Sequence, residues 1–224
     1  MNIDFTSTIP YIPYILQGII ITIQIAIVGA FFGSLIGFLF SLVSHRKNFL
    51  GATVRGFIDF FRGTPLIFQL SFFHYGLPQI FPGFLPTAFQ TAMIIFSLNS
   101  SAYLAEILRA GIEAIDKGQI EAAKALGVSK FHTTIHIIIP QALRNVLPAI
   151  VNEFITLTKE TSVASAIGVQ EILRRQAIVT GTTYRPFEPL LLVGITYYVL
   201  IKILSILGKM VEKRLKYDSS STTI

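Results

Sequence analysis

The chain has no cysteine among its 224 residues, which removes disulfides, a thiolate nucleophile and any cysteine-based metal site, and leaves the redox compartment unreadable. It is also poor in charge, at 13% charged against 52% hydrophobic residues. From Phe5 to Ser44 there is no charged residue at all. A phosphate-binding GxxxxGK[ST] loop is missing, so the chain is not expected to bind or hydrolyse ATP by that route. No basic region precedes the first apolar run, only Asp4, and that run is therefore expected to be retained rather than cleaved as a signal peptide. No Ser/His/Asp order and no catalytic carboxylate pair stands out.

What remains is apolar sequence in long runs, with a mean hydropathy of +0.66. A helix needs about 20 residues to cross the hydrocarbon of a bilayer, and the runs predict an all-α integral membrane protein with about five transmembrane helices, the whole of residues 1–224 forming a single domain. The first span lies within 5–44, with Pro10 and Pro13 in an interfacial lead-in where helix starts tolerate proline. Arg62-Gly63-Thr64-Pro65 opens a second span running to about Phe81, and the uncharged Pro82-Gly83 turn leads to a third over Thr87–Arg109. Pro140 begins a fourth, which runs to about Lys159, and a fifth covers Pro189–Leu207. Leu50–Phe61 reads as a connecting amphipathic helix with Arg55 and Asp59 at i, i+4. Val163–Ile178 reads as a short helix packed on the spans, and the Ser/Thr-rich end as disordered.

The net charge of +6 is carried by the connections and by a tail containing Lys209, Lys213, Arg214 and Lys216. A positive-inside bias accounts for it without nucleic acid, and it sets the N-terminus outside and the C-terminus inside. Arg174, Arg175 and Arg185 are the exception on the outer side, where they either pair locally or mark a segment that is not simply external.

Within and between the spans, four groups invite a role. Gly29, Gly33 and Gly37 form one smooth stripe on a helix, suited to close packing within the chain or across a subunit interface. Glu106 and Arg109, at i, i+3, can pair and end the third span beside Gly111. His132 and His136 have a metal-ligand spacing, but no third ligand completes a site. Asn99, Ser100 and Ser101 near the middle of the third span share a depth with Asn152, Glu153 and Thr156 near the middle of the fourth, and Tyr103 sits one turn before Glu106. A carboxylate at the depth of Glu153 is expensive and so marks a functional position, unless it is neutralised within the protein.

Between the third and fourth runs lies Gly118-Gln119-Ile120-Glu121-Ala122-Ala123-Lys124-Ala125-Leu126-Gly127. This is a helix-forming stretch with a small-residue face and a terminal glycine suited to a helix stop. Either Glu121 and Lys124 are a solvated pair, or the helix docks on another protein.

Glu121-Ala122-Ala123 with Gly127, followed by Pro140, resembles the EAA loop of membrane subunits of ABC importers. Arg62-Gly63-Thr64-Pro65, Ala105-Glu106-Ile107-Leu108-Arg109-Ala110-Gly111 and Lys159-Glu160-Thr161-Ser162 resemble the permeases for polar amino acids such as histidine, glutamine and arginine. The resemblance implies a type I importer fold, a permease that is not itself an enzyme, and ATP with magnesium on a partner ATPase. Glu121, Ala122, Ala123 and Gly127 would be the ATPase-coupling residues. It also implies a dimer of this chain or of this chain with a paralogue, and an extracytoplasmic binding protein, all in a bacterial cytoplasmic membrane. The substrate-binding residues would be Glu153, Asn99, Thr156, Asn152, Ser101 and Tyr103, with Glu153 receiving an α-ammonium or a cationic side chain. A channel or ion-coupled carrier without an ATPase is the alternative, and it has no use for a docking helix.

Overall fold

The structure, a computed structural model, describes residues 3–220, with side chains through Lys213. Arg214 and Lys216 of the expected basic tail, and the Ser/Thr-rich end from residue 221, lie outside the described side chains or residues. The described residues form helices and no strand.

A 3₁₀ turn at Ile9–Tyr11 and α1 (Ile12–Leu16) lead into α2 (Gly18–Ser44), with Pro10 and Pro13 in first-turn positions. The partner of α2 is α6 (Ala88–Glu113), and the glycine stripe is the reason. A Cβ on Gly29 would lie 3.2 Å from the Cβ of Phe96, on Gly33 2.7 Å from that of Ser100, and on Gly37 2.8 Å from the Ser101 carbonyl oxygen. Packing within the chain is thus the use of the stripe. The matched numbers rise together, so α2 and α6 run the same way, taken here as downward, and the chain between them must return upward.

That return is a broken one. α3 (Phe49–Gly63), capped by Asn48, whose side chain accepts from the Gly51 N–H at 2.9 Å, packs against the lower end of α6 through Val54, Ile58 and Phe61 on Ala102 and Ala105. Gly63-Thr64-Pro65 breaks the helix. The ascent is then completed by α4 (Leu66–Ser71), a π-turn at Phe72–Gly76 and α5 (Leu77–Ile80), a stretch of roughly 22 Å at 1.5 Å per residue. Consequently the second expected span is not among the four helical stretches long and apolar enough to cross a membrane, which are Ile9–Ser44, Ala88–Glu113, Lys130–Ile167 and Phe187–Lys213. Arg55 does not pair with Asp59; its guanidinium donates to the carbonyls of Ser44 and Arg46 and closes the lower end of α2.

α6 starts at a capping box in which Thr87 Oγ1 accepts from the Gln90 N–H and the Gln90 side chain accepts from the Thr87 N–H. It does not stop beside Gly111. That glycine is buried against Val146, and Asn145 Nδ2 donates to its carbonyl at 3.2 Å, so the helix runs on to Glu113 because packing, not a cap, decides the position. After α7 (Lys117–Ala125), the fourth run begins well before Pro140. α8 (Lys130–Thr133), a π-turn at Thr134–Ile138, α9 (Ile139–Glu160) and a 3₁₀ segment at Thr161–Ile167 are continuous. The π-turn absorbs the missing N–H and the ring of Pro140, which would otherwise break the hydrogen-bond ladder.

Gly168, at φ 91°, ends this run. The helix expected over Val163–Ile178 is therefore shifted, to α10 (Ile172–Thr183), and α11 (Phe187–Ser220) descends alongside α9. The central core joins Ile25 of α2, Leu70 of α4, Ala92, Ile95 and Phe96 of α6, Leu157 of α9, and Ala164 and Ile167 of the 3₁₀ segment. With lipid as apolar as the core, such packing is held by close van der Waals contact rather than by a hydrophobic drive between helices.

Candidate functional site

At the lower end, Asp116 caps α7 by accepting from the Gly118 N–H at 2.8 Å. The helix closes with the Val128 N–H donating to Ala123 O at 3.0 Å and the Gly127 N–H to Lys124 O at 3.1 Å, the paired bonds of a Schellman stop. Gly127 has φ 74°, a left-handed conformation that glycine adopts without steric cost. Ala123 turns inward and is buried, contrary to an outward role for both alanines. Glu121 and Ala122 remain exposed, together with Ile120, Leu126 and Phe131, of which Leu126 is 82% exposed. The surface offered is thus a carboxylate amid apolar side chains.

Above it, two of the three other motifs meet. Glu106 is hydrogen-bonded to Arg109, Arg109 reaches Glu113 at 2.8 Å, and Arg62 lies 3.6 Å from Glu106 and 5.8 Å above the Tyr103 ring. Arg62 and Glu106 border a cavity of about 290 Å³ that also takes in His45, Arg55, Asp59 and Arg109. Tyr103 therefore belongs to this charged lower mouth. His132 and His136 stack with ring centroids 5.7 Å apart; among the described residues no group of three metal-ligating side chains forms.

The mid-depth polar residues fall into two sets. Asn99 is 3% exposed, and its amide nitrogen donates to Gln69 Oε1 at 3.0 Å and to Phe61 O at 3.3 Å. Gln69, itself buried, donates to Phe61 O and Thr64 and so pins the α3–α4 break onto α6. Ser100 and Ser101 are fully buried in the α2–α6 seam, Ser101 Oγ donating to Leu98 O. Asn99 and Ser101 are thereby used within the scaffold, because close helix packing encloses them. On α9, by contrast, Asn152 is exposed and Glu153 and Thr156 are half-buried, on a helix with little of its surface covered by its own chain. The six expected substrate residues are thus divided: Asn99 and Ser101 are enclosed, Asn152, Glu153 and Thr156 stay accessible on α9, and Tyr103 is exposed lower down on α6.

At the upper end two of the three arginines, Arg175 and Arg185, have partners. Arg175 donates to Tyr14 O at 3.0 Å and to Gln17 Oε1 at 3.1 Å, with its guanidinium 4.6 Å above the Tyr14 ring. Arg185 bridges Glu188 at 2.8 Å and Asp4 at 3.5 Å. Glu171 caps α10, accepting from the N–H groups of Leu173 and Arg174 and from the Tyr197 hydroxyl at 2.7 Å. Burial pushes its carboxyl above the usual carboxylate range while these donors oppose the shift. Gln69 and Lys202 belong to no motif; the signal each leaves in the sequence is a single polar residue inside an apolar run.

Residues 29–217 match the family described as binding-protein-dependent transport system inner membrane component. The chain is 48% identical over 223 residues to the arginine transport system permease protein ArtQ of Bacillus subtilis, across 96% of this chain and 99% of that protein. It is 40% identical to the putative glutamine transport system permease protein GlnP of Rickettsia conorii, across 92% and 94% respectively. Among solved structures it superposes on an amino acid ABC transporter crystallised with histidines, at a TM-score of 0.89 and 37% identity over 96% of this chain and 100% of that one. It also shares the fold of the inward-facing MetNI methionine ABC transporter, at a TM-score of 0.75 and 20% identity over 92% and 98%.

Proposed function

Because the chain belongs to the family of binding-protein-dependent transport system inner membrane components, and is the permease subunit of an ABC importer for amino acids, we propose that its substrates are polar amino acids with a preference for cationic ones. It is not an enzyme; hydrolysis of ATP belongs to a separate ATPase subunit, and an extracytoplasmic binding protein and a second permease subunit complete the assembly. The observation that carries the preference is Glu153, a half-buried carboxylate on the open face of α9. Thr156, one turn on, and Asn152, next to Glu153, add hydrogen-bonding groups. The arginine permease among its relatives supports the same reading. Asn99 and Ser101 act behind the site, by holding α6, and Tyr103 stands below it at the charged mouth with Arg62.

The single permease domain works as a homodimer. The lower end is cytoplasmic and the N-terminus external, supported by the basic residues at His45-Arg46-Lys47 and in the segment around α7. The exposed Glu121 face of α7 meets the ATPase, and Gly127 fixes the direction in which the chain leaves it. Closure of the ATPase pair then moves α7 and rocks the helices between inward-open and outward-open states. A channel or ion-coupled carrier would leave this face without a purpose.

The test is uptake into proteoliposomes holding the permease, its ATPase and its binding protein, with arginine, lysine, histidine and glutamine compared. ATP-dependent uptake led by the cationic amino acids is expected; uptake of glutamine alone would remove the preference, and uptake without the ATPase would remove the coupling. Glu121→Lys and Gly127→Pro should lower copurification of the ATPase and transport together, since one reverses a charge at a contact and the other cannot take a positive φ. Single cysteines at 83 and 121, in a chain with none of its own, should label with an impermeant reagent from outside and inside respectively.

A further inference from the structure

Between the upper half of α9 and α11 lies a groove of about 420 Å³, a size within the roughly 300–1,000 Å³ of small-molecule sites. Lys159 lines it from the end of α9, Ser162 from the 3₁₀ segment that follows, and Tyr197, Tyr198, Lys202 and Ser205 from α11. Both lysines lie within helices apolar enough to span, and positions 189–201, ahead of Lys202, hold no charge. A cation inside a span is costly and faces a partner or a water-filled cavity. Among the described residues no acidic side chain lines this groove; Glu160, next to Lys159, interacts with its charge from outside the wall, and Lys202 has no such neighbour lining the groove.

The donors can be counted. Ser162 Oγ donates to Lys159 O at 2.9 Å and Ser205 Oγ to Ile201 O at 2.8 Å, while the Tyr197 hydroxyl is committed to Glu171. That leaves the two ammonium groups and the Tyr198 hydroxyl to face the space. Two like charges sharing one groove repel unless an anion lies between them.

We propose that this groove receives the α-carboxylate of the transported amino acid, held by the ammonium groups of Lys159 and Lys202. The inference rests on the chain being an amino-acid carrier but not on the cationic preference, because every amino acid brings the carboxylate. Glu153 lies outside the groove, six residues before Lys159 on α9, a rise of about 9 Å and a rotation that leaves the two about 120° apart around the helix. One helix thus offers a receiver for a cationic end and, farther up, a receiver for an anionic end.

The experiment measures binding by titration calorimetry to the permease–ATPase complex in lipid nanodiscs, without binding protein. Two probe pairs are used: arginine with agmatine, and glutamine with 4-aminobutanamide, each second member lacking only the carboxylate. In the wild type at least one amino acid should bind at least tenfold more tightly than its decarboxylated counterpart. Lys159→Met and Lys202→Met should each lower that amino acid's affinity at least tenfold and leave the counterpart unchanged, and Lys202→Arg should retain most of the affinity. Glu153→Gln should weaken arginine and agmatine alike, so a failed cationic pocket is distinguishable from a failed carboxylate site. The proposal is overturned by unchanged amino-acid affinity in both lysine variants, by equal weakening of both members of a pair, or by wild-type complex that binds neither amino acid. It is equally overturned if Lys202→Met leaves binding intact and instead separates the permease subunits, which would assign the groove to a carboxylate of the second subunit.

Discussion

The α2–α6 seam and the open face of α9 lie at similar depth, as the contact of Leu157 with Gly29 and Phe96 in one core shows, yet they treat polar residues in opposite ways. On α6, Asn99, Ser100 and Ser101 are at most 3% exposed, the two serines in the seam with α2 and Asn99 beside it, its amide bonded to Gln69 of α4. On α9, Asn152, Glu153, Thr156 and Lys159 keep their polar groups toward open surface. A polar residue inside a span is therefore not by itself a mark of transport. In the seam it fastens helices, and only where the chain leaves a face uncovered is it free to meet a substrate.

The sharpest way to break this contrast is to overfill the seam. Gly33→Val places methyl groups where a single Cβ already lies 2.7 Å from Ser100, and overpacking of this kind costs about 1–3 kcal/mol or more. Loss of the folded complex on size exclusion is expected, whereas Asn152→Val on the open face should leave assembly and melting temperature unchanged. Next in size, Glu153→Gln should reduce uptake of cationic amino acids about tenfold or more without altering the melting temperature, because it keeps the shape of a half-buried side chain and removes only a charge-assisted hydrogen bond to the substrate. Unaltered uptake would place Glu153 with the scaffold residues.

Asn99→Ala should do the reverse. It leaves the buried Gln69 carbonyl without its donor, at a cost of about 1–3 kcal/mol, so thermal stability should fall while the surviving transporters keep their KM. A changed KM at unchanged stability would move Asn99 into the substrate site. The smallest effect belongs to Ser100→Ala: its buried hydroxyl has no partner among the described side chains, and removing it should shift stability by no more than about 0.5 kcal/mol, toward stabilisation if at all.

Much of this was legible in the residues. The prolines marked the lead-in, the spacing of Gly29, Gly33 and Gly37 marked a packing seam, and Gly127 marked a helix stop, since each rests on a local steric rule that holds whatever the tertiary context. What the residues did not disclose depends on contacts far apart in the chain. Gly111 reads as a terminator until Val146 is seen to cover it. Asn99 and Glu153 share a depth, but depth along a helix says nothing of azimuth, and azimuth is decided by which neighbour packs there. The second span keeps its place, at 66–80 against the expected 62–81, but is shorter, because the chain is extended at Thr64-Pro65 between α3 and α4. Arg175 and Arg185 were ambiguous because their partners, Tyr14, Gln17 and Asp4, come from the other end of the sequence.

The unbroken run from Lys130 to Ile167 has a mechanical meaning. At 1.5 Å per residue it is a rod of about 57 Å, hinged near one end by the π-turn at Thr134–Ile138 and carrying Glu153 and Lys159 along its far arm. A swing of about 5° about that hinge moves Glu153, about 25 Å along the arm, by roughly 2 Å and Lys159, about 34 Å along it, by roughly 3 Å, so a small stroke delivered beside α7 is geared up with distance along the helix that carries the polar residues.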